Sequence, residues 1–203
     1  MVTHVWKELD AEVAIRLAQA SEGERAVFAS GVAQRLFQAH EALPPADQRG
    51  FTLNLRPLLT AVWSGALGDA TAFGDVKQGL AAFYLSDYCH NDGQDGPDDA
   101  DEPAAAAVLH AANAYMHGCS DFAVFASGRA VEAVGELARD AEDYADDPDE
   151  LLAEELRRQL RDLDLIAGHA ATLRRARFGL DPATTADLRT ALHPPLSRAD
   201  DLS

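Results

Sequence analysis

The residue types most able to do chemistry in this sequence are its thiols and imidazoles. Cys89 and His90 adjoin, His110 and His117 lie seven apart on one helical face, and Cys119 follows His117 by two positions. Together they could in principle gather around zinc. Known zinc classes, however, place ligands at short fixed spacings, and the chain has neither a CxxC pair nor a His-Glu-x-x-His. Histidines of core or surface and buried thiols are therefore the default reading, with a metal-dependent enzyme using this group as the rival. Carboxylate-bridged di-iron bundles require two Glu-x-x-His pairs. Asp87-Tyr88-Cys89-His90 is only a distant relative of one. A nucleophile elbow, a P-loop and a dinucleotide fingerprint are all missing from the sequence, so no catalytic residue, metal ligand or cofactor is assigned.

The stretch from Asn91 to Glu102 matches a calcium loop superficially, with Gly96 at the sixth position and Glu102 at the twelfth. Gly93 then occupies a ligand position, Asp98 falls where an apolar residue belongs, and Pro97 stiffens the turn. A solvated acidic loop fits better. A second acid-rich tract runs from Asp140 to Glu155, and part of its charge has a helix-capping role. Where these tracts do more than stay solvated, they form a negative surface for a basic protein. Asp98, Asp99, Asp101 and Glu102 in the first, with Asp143, Asp146 and Asp147 in the second, are the partner-binding candidates.

Overall charge points the same way. Thirty-four acids against 17 Lys and Arg leave −17 over 203 residues. That excess opposes nucleic-acid binding, which needs cations to neutralise phosphates, and it opposes an anionic membrane surface. Two cysteines cannot make a disulfide framework. Met1 to Glu8 has no charged and then apolar signal-like segment, and the longest uncharged run, Pro103 to Ser120, is too polar to span a bilayer. The expectation is a reduced, cytoplasmic protein.

Helices must position whatever does the work. Leu9, Val13 and Leu17 recur at helical spacing from Lys7 to Ala20. Ser21 and Glu24 form a capping box for a second helix reaching about Leu43, where Pro44-Pro45 stops it. Further helices are expected from about Leu55 to Leu67, Asp75 to Cys89, Pro103 to His117 and Ser120 to Ala138. Gly68, Gly118 and Gly179 serve as stops. Asp147-Pro148 starts a stripe of Leu152, Leu156, Leu160, Leu163, Ile166 and Leu173 that spans about 30 residues. Asp181-Pro182 opens a last helix to Leu192, and residues 193–203 read as a flexible tail. No strand pattern competes. The fold class is all-α: a single-domain bundle of seven or eight helices over 1–192, with halves of about 1–90 and 103–177 joined by the acidic loop 91–102.

Those halves share a hexapeptide. Ala26-Val27-Phe28-Ala29-Ser30-Gly31 returns as Ala123-Val124-Phe125-Ala126-Ser127-Gly128. On a helix, Ala26, Ser30 and Ala33 line up as a stripe of small residues, as do Ala123, Ser127 and Ala130, which lets a neighbouring helix come close. Duplication of a helical hairpin and coincidence in an alanine-rich chain both remain open. Beyond the hexapeptide the match lapses, with Leu36 meeting Ala133 and Leu43 meeting Asp140.

Phe28-Ala29 with Gln34-Arg35-Leu36-Phe37, then Leu59 and Val62-Trp63, resembles the YjaG-like family of all-helical bacterial proteins. Pro103-Ala104 opening an Ala-rich helix, and Asp147-Pro148 leading through Glu154, Glu155 and Gln159, extend the resemblance over most of Leu17 to Arg177. This chain departs from it in the acidity of Asp92 to Asp101 and in the residues after Phe178. The resemblance implies an all-helical fold and lends some support to an interaction role; it carries no catalytic residue. The expected function is non-enzymatic protein–protein interaction in regulation or signalling, with a basic protein or a second copy in a homodimer as partner. A sharper variant is an immunity or inhibitor protein whose acidic face covers a basic toxin.

Overall fold

The computed structural model describes residues 4–86, 103–140 and 148–198. Among these the chain is helical throughout, with no strand. In order the helices are α1 (Val5–Gln19), α2 (Glu22–Ala42), the single turn α3 (Gly50–Leu53), α4 (Arg56–Ala66), α5 (Ala72–Tyr84), α6 (Pro103–His117), α7 (Ser120–Asp140), α8 (Pro148–Ala167), α9 (Ala170–Ala176) and α10 (Pro182–Leu196). One contiguous apolar core draws on residues from Val13 to Leu196. The two halves therefore share a single interior.

The all-α expectation holds, and the count of seven or eight rises for local reasons. α3 adds one turn. The stripe from Leu152 to Leu173 is split at Gly168-His169, where the Gly168 N–H reaches both the Asp164 and Leu165 carbonyls and the helix tightens to a stop. Leu173 stays buried beyond the break, so the apolar face resumes in α9. α5 begins three residues ahead of the expected Asp75. The Asp69 carboxylate accepts from the Thr71 N–H and hydroxyl at 3.0 and 2.6 Å, forming a turn that launches the helix. It ends at Tyr84 rather than Cys89.

The C-terminal helix is the other correction. α10 continues to Leu196 instead of stopping at Leu192, with Pro194 and Pro195 inside it, so 193–196 are not tail. Leu192 and Leu196 are 0% and 1% exposed, and the His193 ring lies 4.4 Å from that of Trp63. This burial offsets the two missing backbone donors.

α2 is the axis of the bundle, packing against α4, α6, α7, α8, α9 and α10. Its capping box forms as read: the Ser21 N–H donates to the Glu24 carboxylate at 2.8 Å, and the Glu24 N–H donates to the Ser21 hydroxyl at 3.4 Å. Ala26, Ser30 and Ala33 are all buried, as are Ala123, Ser127 and Ala130 in α7. Close helix approach by both small-residue stripes follows. The three glycines expected to stop helices, Gly68, Gly118 and Gly179, adopt left-handed φ values of 101°, 66° and 85°.

Candidate functional site

The partner-binding candidates Asp98, Asp99, Asp101, Glu102, Asp143, Asp146 and Asp147 lie outside the described residues, as do Cys89, His90 and the calcium-like stretch. The remaining zinc candidates stand in aromatic surroundings. His110 sits 5.4 Å from the Phe125 ring and His117 5.8 Å from Phe122, while Cys119 is half-buried. Burial, reinforced by the Arg129 charge, pushes the His110 imidazole down to about 4. Among the described residues no three His, Cys, Asp or Glu side chains gather closely enough to hold a metal ion. No described helix is long and apolar enough to cross a membrane.

Two features that the sequence did not announce carry the polar and concave character of the molecule. The first is a buried charge network between α2, α7, α8 and α10. Arg35 donates through Nη1 to Asp162 at 2.7 Å and to the Leu196 carbonyl at 3.1 Å, and through Nη2 to Glu155 at 3.4 Å. Gln159 donates to Glu155 at 2.9 Å, and the Ser127 hydroxyl donates to the Gln159 carbonyl oxygen at 2.5 Å. Arg35, Glu155, Arg158, Gln159 and Ser127 are each at least 93% buried. Burial pushes the Asp162 carboxyl up, against the opposing pull of Arg35. Two cations and two carboxylates balance, with no open face for a substrate. The network fixes the register of α8 and the end of α10 on α2.

The second is an open groove of about 880 Å³ between α4 and α5. Pro57 in the first turn of α4 and Gly68 after its end set the length of one wall. The other wall comes close because Gly79 lacks a side chain: a Cβ there would meet Leu58 Cδ1 at 2.9 Å. Phe51, Leu55, Leu58, Ala61 and Phe83 supply apolar lining, with the Phe51 and Phe83 rings 5.5 Å apart. Asp69, Asp75, Gln78 and Ser64 supply polar groups. The Thr71 hydroxyl and N–H hold the Asp69 carboxyl below its usual range, so it stays ionised. Among the described lining residues Arg56 is the only cation, paired with Glu41 and stacked 5.0 Å from the centre of the Phe37 ring, and Arg189 reaches the rim, where it donates to the Ser64 hydroxyl at 3.3 Å.

Several other cations of the described surface are spent similarly. Arg16 pairs with Asp164 at 2.7 Å, and Arg157 and Arg161 both reach Glu154. Arg25 donates to the Leu17, Ala18 and Gly118 carbonyls. Glu8, Asp10 and Glu12 on α1 are exposed with no ion pair among the described residues.

Comparison with protein-family models, with curated proteins and with solved structures finds no match in any of the three. The YjaG-like resemblance thus stands on sequence motifs alone. Of the residues that carry it, Phe28, Phe37, Leu59, Val62 and Trp63 are core, each at most 2% exposed.

Proposed function

We propose that this protein works by binding another protein, in a regulatory or signalling role, and that the α4–α5 groove is where a segment of the partner docks. The groove itself is the observation that carries this reading. It combines an apolar lining with two acidic groups, Asp69 and Asp75, while its lining cation Arg56 is paired with Glu41 and Arg189 stands at the rim on the Ser64 hydroxyl. A helix with one apolar face and basic flanks has the complementary chemistry. The net charge of −17 would steer such a partner and raise its association rate. The acidic tracts around Asp98 and Asp146 would add to that field.

Capture from the native cell followed by mass spectrometry supplies the partner, and binding of its purified form tests the site. Thr60→Trp fills the groove from an exposed position, and Asp75→Lys reverses a lining charge. Each should weaken binding at least about tenfold, and wild-type affinity should fall as salt rises. Affinity unchanged in both variants would place the contact elsewhere.

A further inference from the structure

Away from the α4–α5 groove, three helix ends enclose a second concavity. α1 stops at Gln19, α2 begins at Glu22 and α8 stops at Ala167, and a cleft of about 160 Å³ opens where they meet. Leu163 and Ile166, 4% and 1% exposed, make its apolar floor, with Ala20 and Ala167 beside them. Arg16 and Glu24 supply one charge of each sign, and Gln19 an amide.

Glu24 is 8% exposed, and half of its carboxylate is already employed. Oε2 serves the capping box, accepting from the Ser21 N–H at 2.8 Å and from the Ser21 hydroxyl at 2.5 Å. Oε1 accepts no hydrogen bond from any described residue and is not sealed within protein, so it opens on the cleft that Glu24 lines. A carboxylate oxygen so nearly buried calls for a donor, and a cationic donor makes the strongest bond.

Arg16 lines the same cleft without pairing with Glu24. Its Nη2 meets Asp164 at 2.7 Å, but the Asp164 side chain is 72% exposed, and an ion pair in water holds a guanidinium only loosely. Its Nη1 reaches the Leu160 carbonyl at a long 3.4 Å. The guanidinium therefore keeps donors for a further anion.

A cation acceptor and an anion donor that leave each other unpaired, over an apolar floor, match one class of molecule. We propose that this cleft binds a small free α-amino acid with a short aliphatic side chain. The ammonium donates to Glu24 Oε1, the carboxylate accepts from Arg16, and the side chain lies on Leu163 and Ile166. The volume is that of about five liquid waters, enough for alanine or valine. An amine alone leaves Arg16 unused. A carboxylic acid alone leaves Glu24 unused and adds a negative charge beside Asp164. The bound amino acid joins α1, α2 and α8, so the fold is more stable when the cleft is occupied. The cleft shares no residue with the α4–α5 groove and does not depend on it.

Titration of the isotope-labelled full chain with L-valine, followed by amide NMR, tests the site. Signals of Ala20, Ile166 and Ala167 should shift with a dissociation constant of about 1 mM or below, and the melting temperature should rise with valine concentration. Isobutylamine, which keeps the ammonium, and isovalerate, which keeps the carboxylate, should each bind at least about tenfold more weakly. Glu24→Gln removes the charge and preserves the capping box, in which glutamine also serves. Glu24→Gln and Arg16→Gln should each weaken valine binding at least about tenfold, with the helical circular dichroism of the wild type as the control for folding. Signals at these positions that stay fixed up to about 20 mM valine overturn the proposal. So does isobutylamine or isovalerate binding as tightly as valine, or either variant keeping the wild-type affinity.

Discussion

Phe28 is 1% exposed on α2, while Phe125, its counterpart in an identical hexapeptide, is 50% exposed on α7. Both helices are 21 residues long, and both bury the alanines and serine of the repeat. The remaining positions diverge. Val27 is fully buried where Val124 is half-buried, and Gly31 lies against Leu196 where Gly128 has open space. Even the serines differ: Ser30 donates to the Ala26 carbonyl of its own helix at 2.7 Å, whereas Ser127 donates across to Gln159 on α8. Six identical residues thus produce the same helix and the same small-residue stripe in two places. Whether a second side of that helix is covered depends on the neighbours, and α2 has them on every side.

The sharpest way to test this contrast is truncation of the two phenylalanines. Phe28→Ala should cost about 3–5 kcal/mol, by lost burial and a cavity, and Phe125→Ala less than about 1 kcal/mol. Equal losses in denaturant midpoint would erase the distinction between an axial and a peripheral helix. The serines come next. Ser127→Ala strips the Gln159 carbonyl oxygen of its hydroxyl partner inside a buried network, a loss of about 1–3 kcal/mol. Ser30→Ala removes only a bond back to its own helix and should stay within about 0.5 kcal/mol in the same unfolding assay.

A pH effect distinguishes the α7 copy as well. His110 packs beside Phe125, and its folded value of about 4 lies below the ordinary 6.5. Burial disfavours the charged ring, so the unfolded chain binds a proton first. Its contribution is intact above about pH 6.5 and is lost as pH falls toward 4. Allowing for the partial exposure of the ring, that loss is about 1–2 kcal/mol. NMR titration of His110 in Phe125→Ala should move its midpoint back up toward 6.5, and no movement would mean that Phe125 does not shield it. The glycines extend the contrast. Gly128→Ala should stabilise by about 0.5–1 kcal/mol, since nothing lies within 4 Å of the added carbon. Gly31→Ala meets the Leu196 side chain at 3.1 Å and should not raise the melting temperature.

Much of the framework was legible because its signals are local. Ser21 with Glu24, Pro57, Asp181-Pro182 and the glycines at 68, 118 and 179 mark ends that each residue's own hydrogen bonding or φ requires. The buried network was missed for the converse reason. Glu155, Arg158, Gln159 and Asp162 form a polar stripe on α8, and such a stripe ordinarily faces water. Only the arrival of Arg35 from α2 and the Leu196 carbonyl from α10 turns it inward. The groove was equally hidden, since it is a space between α4 and α5 and belongs to no single segment.

By itself, then, the sequence determined the helices, most of their ends, the close-packing stripes and the acidic excess, because caps, periodicity and charge act within a few residues. Tertiary structure alone decided which copy of the hexapeptide became the axis, which polar residues went inside and where the α4–α5 groove opened. These depend on which helices meet, and contacts between segments distant in the chain leave no local pattern to read.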